Sequence, residues 1–227
     1  MTARGKLFVI EGGDGSGKAT QAELTRQYAS DELHKHVLKR SFPRYGEESA
    51  ELVERYLNGE FGDLNAVPPE FVAQAFALDR LAGTPEIAKH LAKGPDHIAI
   101  LDRYDGSNVA HQGAKFLDAG KRHAFYDWIQ RFEANIGMLR ADKNIVLLVP
   151  PHVSHQNVAK KDARSYTDKT HDIHEADMDY QERVKHAYEE LCELYPDKYT
   201  PITCVDDTGS MRTREAIQLD IRAALGI

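Results

Sequence analysis

Short apolar runs separated by stretches of helical periodicity set the plan of the chain. LFVI (7–10), HIAILD (97–102) and NIVLLV (144–149) are continuous rather than alternating, the pattern of strands buried on both faces. HVLKRSF (36–42), which stops at Pro43, and YTPITCVD (199–206) bring the candidate strands to five. Helical spacing follows Lys18, runs through EESAELVERYLNG to a stop at Gly59, and covers 70–92 with a break near Gly83-Thr84-Pro85. It returns over about 107–120, 122–139, 175–195 and 213–225. Strands alternating with helices predict an α/β fold: a five-stranded parallel sheet flanked by helices, as a single domain over 1–227. The segment 152–174 is polar, lysine-rich and weakly periodic, so a mobile loop with little fixed structure is expected there.

Composition narrows the class without naming a function. Hydrophobic residues at 41% and charged residues at 29% of 227 describe an ordinary soluble globule. A net charge of -7 argues against a general nucleic-acid or membrane-surface binder, which would present a basic face. Cys192 and Cys204 are too few for a disulfide framework. The first strand starts too close to Met1 for a signal peptide, and no apolar run is long enough to span a bilayer. A cytoplasmic protein is expected.

The first strand passes into a glycine-rich turn, EGGDGSGKAT, and then into a helix. Gly12, Gly13, Asp14, Gly15, Ser16, Gly17 and Lys18 fit the frame G-x-x-x-x-G-K-[ST], but Ala19 stands at its last position and Thr20 comes one step later. Glycines let consecutive backbone N–H groups converge on phosphate oxygens, Lys18 adds a mobile charge, and the helix N-terminus favours anions. A glycine-rich turn that binds nothing is the alternative, and the strand before and helix after weigh against it. In sheets of this kind ligands sit beyond the carboxyl ends of the strands, where this loop and Asp102 both fall.

Three further stretches lie at that edge. DRY (102–104) offers a carboxylate able to hold Mg²⁺ through water and, in Arg103, a clamp for phosphate oxygens. FPRYG (42–46) places Arg44 just past the second strand, with Phe42 and Pro43 shaping the turn that aims it at a second phosphorylated ligand. FALDR (76–80) sets Phe76 and Arg80 on one helical face, a ring to stack on a base and a guanidinium to donate to a carbonyl. Each has a bland counterpart: a structural ion pair, a solvated loop arginine, a core phenylalanine beside a surface arginine.

EGGDGSGKATQ, FPRYG, FALDR, and LDRY followed by SNVAHQG occur in the order and spacing of thymidylate kinases, which the chain resembles from about Leu7 to Gly113 and again, weakly, from Asp172 to Leu191. The resemblance implies a P-loop nucleoside monophosphate kinase with a lid at about 151–174, usually a homodimer, transferring the ATP γ-phosphoryl group to dTMP with Mg²⁺. It implies that Gly12, Gly13, Gly15, Ser16, Gly17, Lys18, Ala19 and Thr20 hold ATP, with Lys18 on the β- and γ-phosphates. Arg103 would lie near the transferred phosphoryl, Arg44 on the dTMP phosphate, and Asp14 would position acceptor-side groups. Phe76 would stack on thymine, Arg80 would donate to its O4, and Ser107, Asn108, His111 and Gln112 would face base and sugar. Asp102, with Thr20, would organise the metal.

The departures are equally specific. Ala19 cannot ligate magnesium. His111 replaces the tyrosine frequent near the sugar, and an imidazole there is expected to make sugar binding pH-sensitive. The lid holds Arg164 as its sole arginine, with Lys160, Lys161 and Lys169 around it, and Glu175 resembles a lid-edge acid. The histidines form no metal-ligand spacing and read as surface residues. Two alternatives stand beside dTMP phosphorylation: a kinase for another pyrimidine monophosphate such as dUMP, and a non-catalytic nucleotide-binding regulator.

Overall fold

A computed structural model of the protein describes residues 3–158 and 177–227. Five strands, β1 (Lys6–Gly12), β2 (His36–Ser41), β3 (His97–Asp102), β4 (Lys143–Leu148) and β5 (Tyr199–Thr203), form one sheet in the order β2-β3-β1-β4-β5. Every pairing is parallel, with Ile10 opposite both Asp102 and Ile145. The strand order reverses at β1, so the loop leaving it opens at the switch point of the sheet.

The apolar runs are continuous because both faces are covered. On one side Phe8, Ile10, Ile100, Ile145 and Leu147 pack against α1 (Lys18–Asp31) and α8 (Arg214–Leu225) through Ala22, Ile217 and Ile221. On the other, Leu7, Val9, Ala99 and Leu101 meet Ala77, Ile87 and Leu91 of α3 (Pro69–Leu91). A further cluster joins Val146 to α4 (Asp105–Gly113), α5 (Ala119–Asn135) and α7 (Met178–Leu194). The remaining helices are α2 (Glu51–Leu57), entered by a short 3-10 turn at Glu48–Ala50, and α6 (Pro151–Val158).

Two expectations are corrected. The helical stretch over 70–92 does not break at Gly83-Thr84-Pro85 but runs unbroken through Pro85. Gly83 lies so close to Phe42 that a Cβ there would sit 2.9 Å from the ring's Cζ, and Thr84 Oγ1 bonds the Arg80 carbonyl at 3.1 Å. Ile87 and Leu91, both buried beyond the proline, hold the last turns to the core against the lost N–H. The segment 152–174 is not wholly loop: α6 occupies its start, with Pro151 at the first helical position and Pro150 O accepting from Ser154 N at 3.1 Å. The rest of that span lies outside the described residues. So do Arg164, Lys169 and Glu175, which the resemblance assigned to the lid, together with Lys160 and Lys161. The helix expected from Glu175 is described from Met178, where Asp177 accepts from Tyr180 N at 2.9 Å as its cap.

Candidate active site

One cavity of about 720 Å³ runs along the carboxyl edge of the sheet. Its floor is the turn between β1 and α1. Gly12 opens the turn at φ 143°, where a Cβ would lie 2.7 Å from Leu147 O and 2.8 Å from Ser16 Oγ, so the backbone admits no side chain. Gly17 caps α1 at φ 90° and puts nothing over the helix's first amides, and the first turn holds no acid to repel an anion. Asp14, Gly15, Ser16, Gly17, Lys18, Ala19 and Thr20 all line the cavity, and Gly12 and Gly13 stand behind them. Lys18 is nearly buried and folds back so that Nζ donates to Gly13 O at 2.6 Å.

Arg103 is the hub between the two halves. Its backbone is left-handed at φ 68°, anchored by Arg103 N donating to Ile10 O at 3.0 Å. A non-glycine residue in this region is a local cost that surrounding structure must hold in place. The turn sends the guanidinium back over the loop. There Nη1 donates to Gly12 O at 3.1 Å, Ser107 Oγ at 3.0 Å and His111 Nε2 at 3.3 Å, and Nη2 pairs with Asp14. Burial works against the charge, but Asp14, with Tyr188, Asp102 and Glu11, outweighs it and raises the pKa above its ordinary value. Asp14 therefore meets Arg103 directly.

His111 is buried beside Arg103, which corrects its reading as one of the surface histidines. Burial first, then the Arg103 charge, pushes its pKa down to about 3. Both effects favour the neutral imidazole, which weighs against the pH-sensitive sugar contact expected from histidine. Because Nε2 accepts from Arg103, Nδ1 carries the proton and faces Tyr180 Oη at 3.4 Å, while that hydroxyl donates to His111 O at 2.8 Å.

Beneath the hub lies Glu11, which the sequence reading passed over. It is fully buried and accepts from Tyr104 N at 2.9 Å and Ser107 Oγ at 2.5 Å. Burial raises its pKa from 4.5 to about 7, against the Ser107 hydrogen bond that favours the charged form. A folded-state pKa above the unfolded one gives stability that is fully present below about pH 4.5 and lost as pH rises through about 7. Glu11→Gln, which cannot ionise, is therefore expected to gain melting temperature relative to wild type as pH climbs across that window. Parallel melting curves from pH 4.5 to 7.5 would contradict the assignment.

The opposite wall gathers Phe42, Pro43, Phe76, Arg80, Ser107, Asn108, His111 and Gln112, so Phe76 and Arg80 do share a face toward one space. Phe76 rests edge-on against Tyr56 at 6.5 Å. The Gln112 amide is fully buried with neither its nitrogen nor its oxygen paired, an arrangement that costs free energy. Arg44 is not on the wall, although its neighbours Pro43 and Tyr45 are. Its Nε pairs with Asp79 at 3.2 Å and its Nη2 donates to Ser49 Oγ at 2.5 Å.

A third part of the cavity, formed by Gln21, Met211, Arg212, Arg214 and Ile217, was missed. The signal was present: SMRTRE follows the fifth strand at the ligand-bearing edge of the sheet, and the helical spacing from 213 covers only part of it. Gln21 Nε2 ties the two sides together by donating to Arg214 O at 3.1 Å.

The family follows from sequence comparison. A family model described as thymidylate kinase matches residues 10–210. The chain belongs to the thymidylate kinase family. Among curated members, the thymidylate kinase of Clavibacter michiganensis subsp. michiganensis is 29% identical over 219 residues, covering 96% of this chain and 93% of the relative. A probable thymidylate kinase of Pyrococcus horikoshii is 29% identical over 196 residues, 86% of each chain. The thymidylate kinase structure from Candida albicans superposes with a TM-score of 0.73 at 21% identity, covering 100% of this chain and 93% of that one, and shares its fold. The fold expected from the sequence, a five-stranded parallel sheet flanked by helices of the P-loop type, is borne out. Among the described residues no helix is long and apolar enough to cross a membrane.

Proposed function

We propose that this protein phosphorylates dTMP with ATP, giving dTDP and ADP. The observation that carries the reading is the single cavity that joins the phosphate loop, through Arg103, to a wall holding Phe76, Arg80 and the unpaired Gln112. A mere nucleotide binder has no use for a charged hub between two compartments. Phosphoryl transfer does, because two anions must be brought in line while their repulsion is cancelled.

Each residue then has a defined task. The loop amides and Lys18 hold the ATP phosphates, Lys18 leaving Gly13 O to do so. Arg103 donates to the phosphoryl oxygens as charge develops, oriented by Asp14, Ser107 and His111. Arg44 takes the dTMP phosphate, Phe76 stacks on thymine, and Arg80 donates to its carbonyl. Ser107 and Gln112 face the sugar and base edges. Asp102 and Thr20 are the groups that would hold Mg²⁺. Both line the cavity, and no cluster of three or more His, Cys, Asp or Glu suited to a metal occurs among the described residues. That sparse oxygen set fits a hard cation carried mainly on nucleotide phosphates, where it would neutralise charge on the β- and γ-oxygens. Exposed Phe71 and Leu78, two turns apart on α3, support assembly as a homodimer, and the net charge of -7 supports a cytoplasmic enzyme of small molecules rather than of nucleic acid.

Coupled ADP release with dTMP, dUMP, dCMP, dGMP and AMP tests the reading. Turnover is expected to be greatest with dTMP, with dUMP about tenfold lower for want of one methyl contact. Tight ATP binding without turnover of any acceptor would leave a regulator instead of an enzyme. The same assay addresses Ala19, which is exposed on the cavity side. Ala19→Ser is expected to leave turnover similar and to keep or lower the Mg²⁺ concentration needed for half-maximal rate. A large loss would mean the loop is built around alanine.

A further inference from the structure

Glu133 lies on α5, off the cavity wall, and no motif drew attention to it. Its carboxylate is almost fully buried, which is costly unless the charge is matched. Two cavity-lining side chains match it, and both use the same oxygen. Arg80 Nη2 pairs with Glu133 Oε1, and Asn108 Nδ2 donates to that atom at 3.1 Å. The second hydrogen of the Asn108 amide goes to Ala73 O at 3.0 Å.

The consequence is a fixed polarity. With both of its donors spent, Asn108 has only Oδ1 left, and that atom is buried without a partner. Arg80 gives one Nη2 hydrogen to Glu133, and its Nε is buried without a partner. Both residues line the cavity and are bridged by one carboxylate oxygen, so toward a ligand the guanidinium can act only as a donor and the amide, its hydrogens taken, only as an acceptor. An imide edge, with a carbonyl next to a ring N–H, satisfies both. The cytosine edge, with an amino group next to a bare ring nitrogen, opposes donor to donor and acceptor to acceptor.

We propose that Glu133 is the positioning residue that sets which pyrimidine the cavity accepts, by locking the Arg80 guanidinium and the Asn108 amide in one arrangement through a shared oxygen. It touches no ligand and acts through two groups that do. The proposal deepens the dTMP kinase reading and rests on it. Ala73 O also holds the Asn108 nitrogen, so loss of Glu133 loosens the amide rather than inverting it outright. Among the described residues Glu133 is the one carboxylate that ion-pairs with Arg80, Asp105 acting on it only at longer range, so Arg80 is expected to move further.

Glu133→Gln keeps the size of the side chain, removes its charge, and lets its amide either donate or accept. Steady-state kcat/KM for dTMP and dCMP, with the KM for ATP, decides the matter. The expected result is a ten- to hundredfold fall in the dTMP-to-dCMP ratio, carried mainly by KM for dTMP, with KM for ATP within about twofold. If that variant fails to fold, Glu133→Asp, which keeps the charge but withdraws the oxygen by one methylene, is expected to lower the same ratio. An unchanged ratio with equal loss for both acceptors would show a purely structural carboxylate and overturn the proposal. A wild-type enzyme that turns over none of the monophosphates would instead remove the functional reading beneath it.

Discussion

Arg103→Ala is expected to lower kcat by about three orders of magnitude while changing ATP affinity by only a few-fold. The size follows from where the charge is needed. In phosphoryl transfer the protein does little covalent chemistry, and a cation aimed at the transferring oxygens accounts for about 10³–10⁵ in rate. Arg103 meets the structural conditions for that role. Its left-handed backbone and four polar partners hold the guanidinium before any substrate arrives, so little reorganisation remains at the moment of reaction. Arg103→Lys separates charge from geometry: a lysine keeps the cation but cannot reach Asp14, Ser107 and His111 at once, so turnover between wild type and alanine is expected. Turnover by steady-state assay and ATP affinity by calorimetry distinguish the outcomes. An alanine variant that loses ATP affinity as steeply as kcat would move Arg103 from the transition state to the ground state. Melting curves belong beside both measurements, because Asp14 loses its ion-pair partner in the variant.

What the sequence made legible was local. The three continuous apolar runs became the central strands because both faces of the sheet are covered there, and the phosphate loop was readable because its glycines, lysine and flanking elements are contiguous. Phe76 and Arg80 were readable as neighbours because four residues make about one helical turn. The groups that escaped act across the fold. Glu11 reaches Ser107, Tyr180 reaches His111, and Glu133 reaches Arg80, each joining separate elements through one side chain. No spacing rule marks such residues, since a buried carboxylate on a helix looks in sequence like any solvated one. The misjudged helix break has the same origin. Gly83 and Pro85 are helix breakers by propensity, and packing on Phe42 and burial of Ile87 and Leu91 overrode them.

Arg44→Ala is expected to raise the KM for dTMP by about a hundredfold and to leave the KM for ATP nearly unchanged. A charge-assisted hydrogen bond to a phosphate, removed without replacement, costs about 1.5–3 kcal/mol, and a guanidinium has donors enough to make more than one. It enters from the turn after β2, where its backbone N donates to Asp79 Oδ2 at 2.9 Å and its Nε pairs with Oδ1 at 3.2 Å. Asp79 is almost fully buried and also accepts from Ser49 Oγ at 2.6 Å, so the carboxylate fixes the turn as well as the guanidinium. The variant leaves that carboxylate with the backbone amide and Ser49 alone, and some loss of melting temperature is expected with the loss of affinity. Thymidine separates the two effects, because it carries the base and sugar but no phosphate. Its affinity, measured by competition against dTMP in the wild type and by calorimetry in both proteins, is expected to change by less than about threefold. Were thymidine to weaken as much as dTMP, the effect would lie in a collapsed turn, and the phosphate contact would have to be sought on another cation. Were ATP to weaken equally, Arg44 would belong to the donor side. A hundredfold loss confined to the phosphorylated acceptor would mean that Arg44, which lies between the cavity-lining Pro43 and Tyr45 but off the wall itself, turns from Ser49 to the phosphate when the acceptor binds.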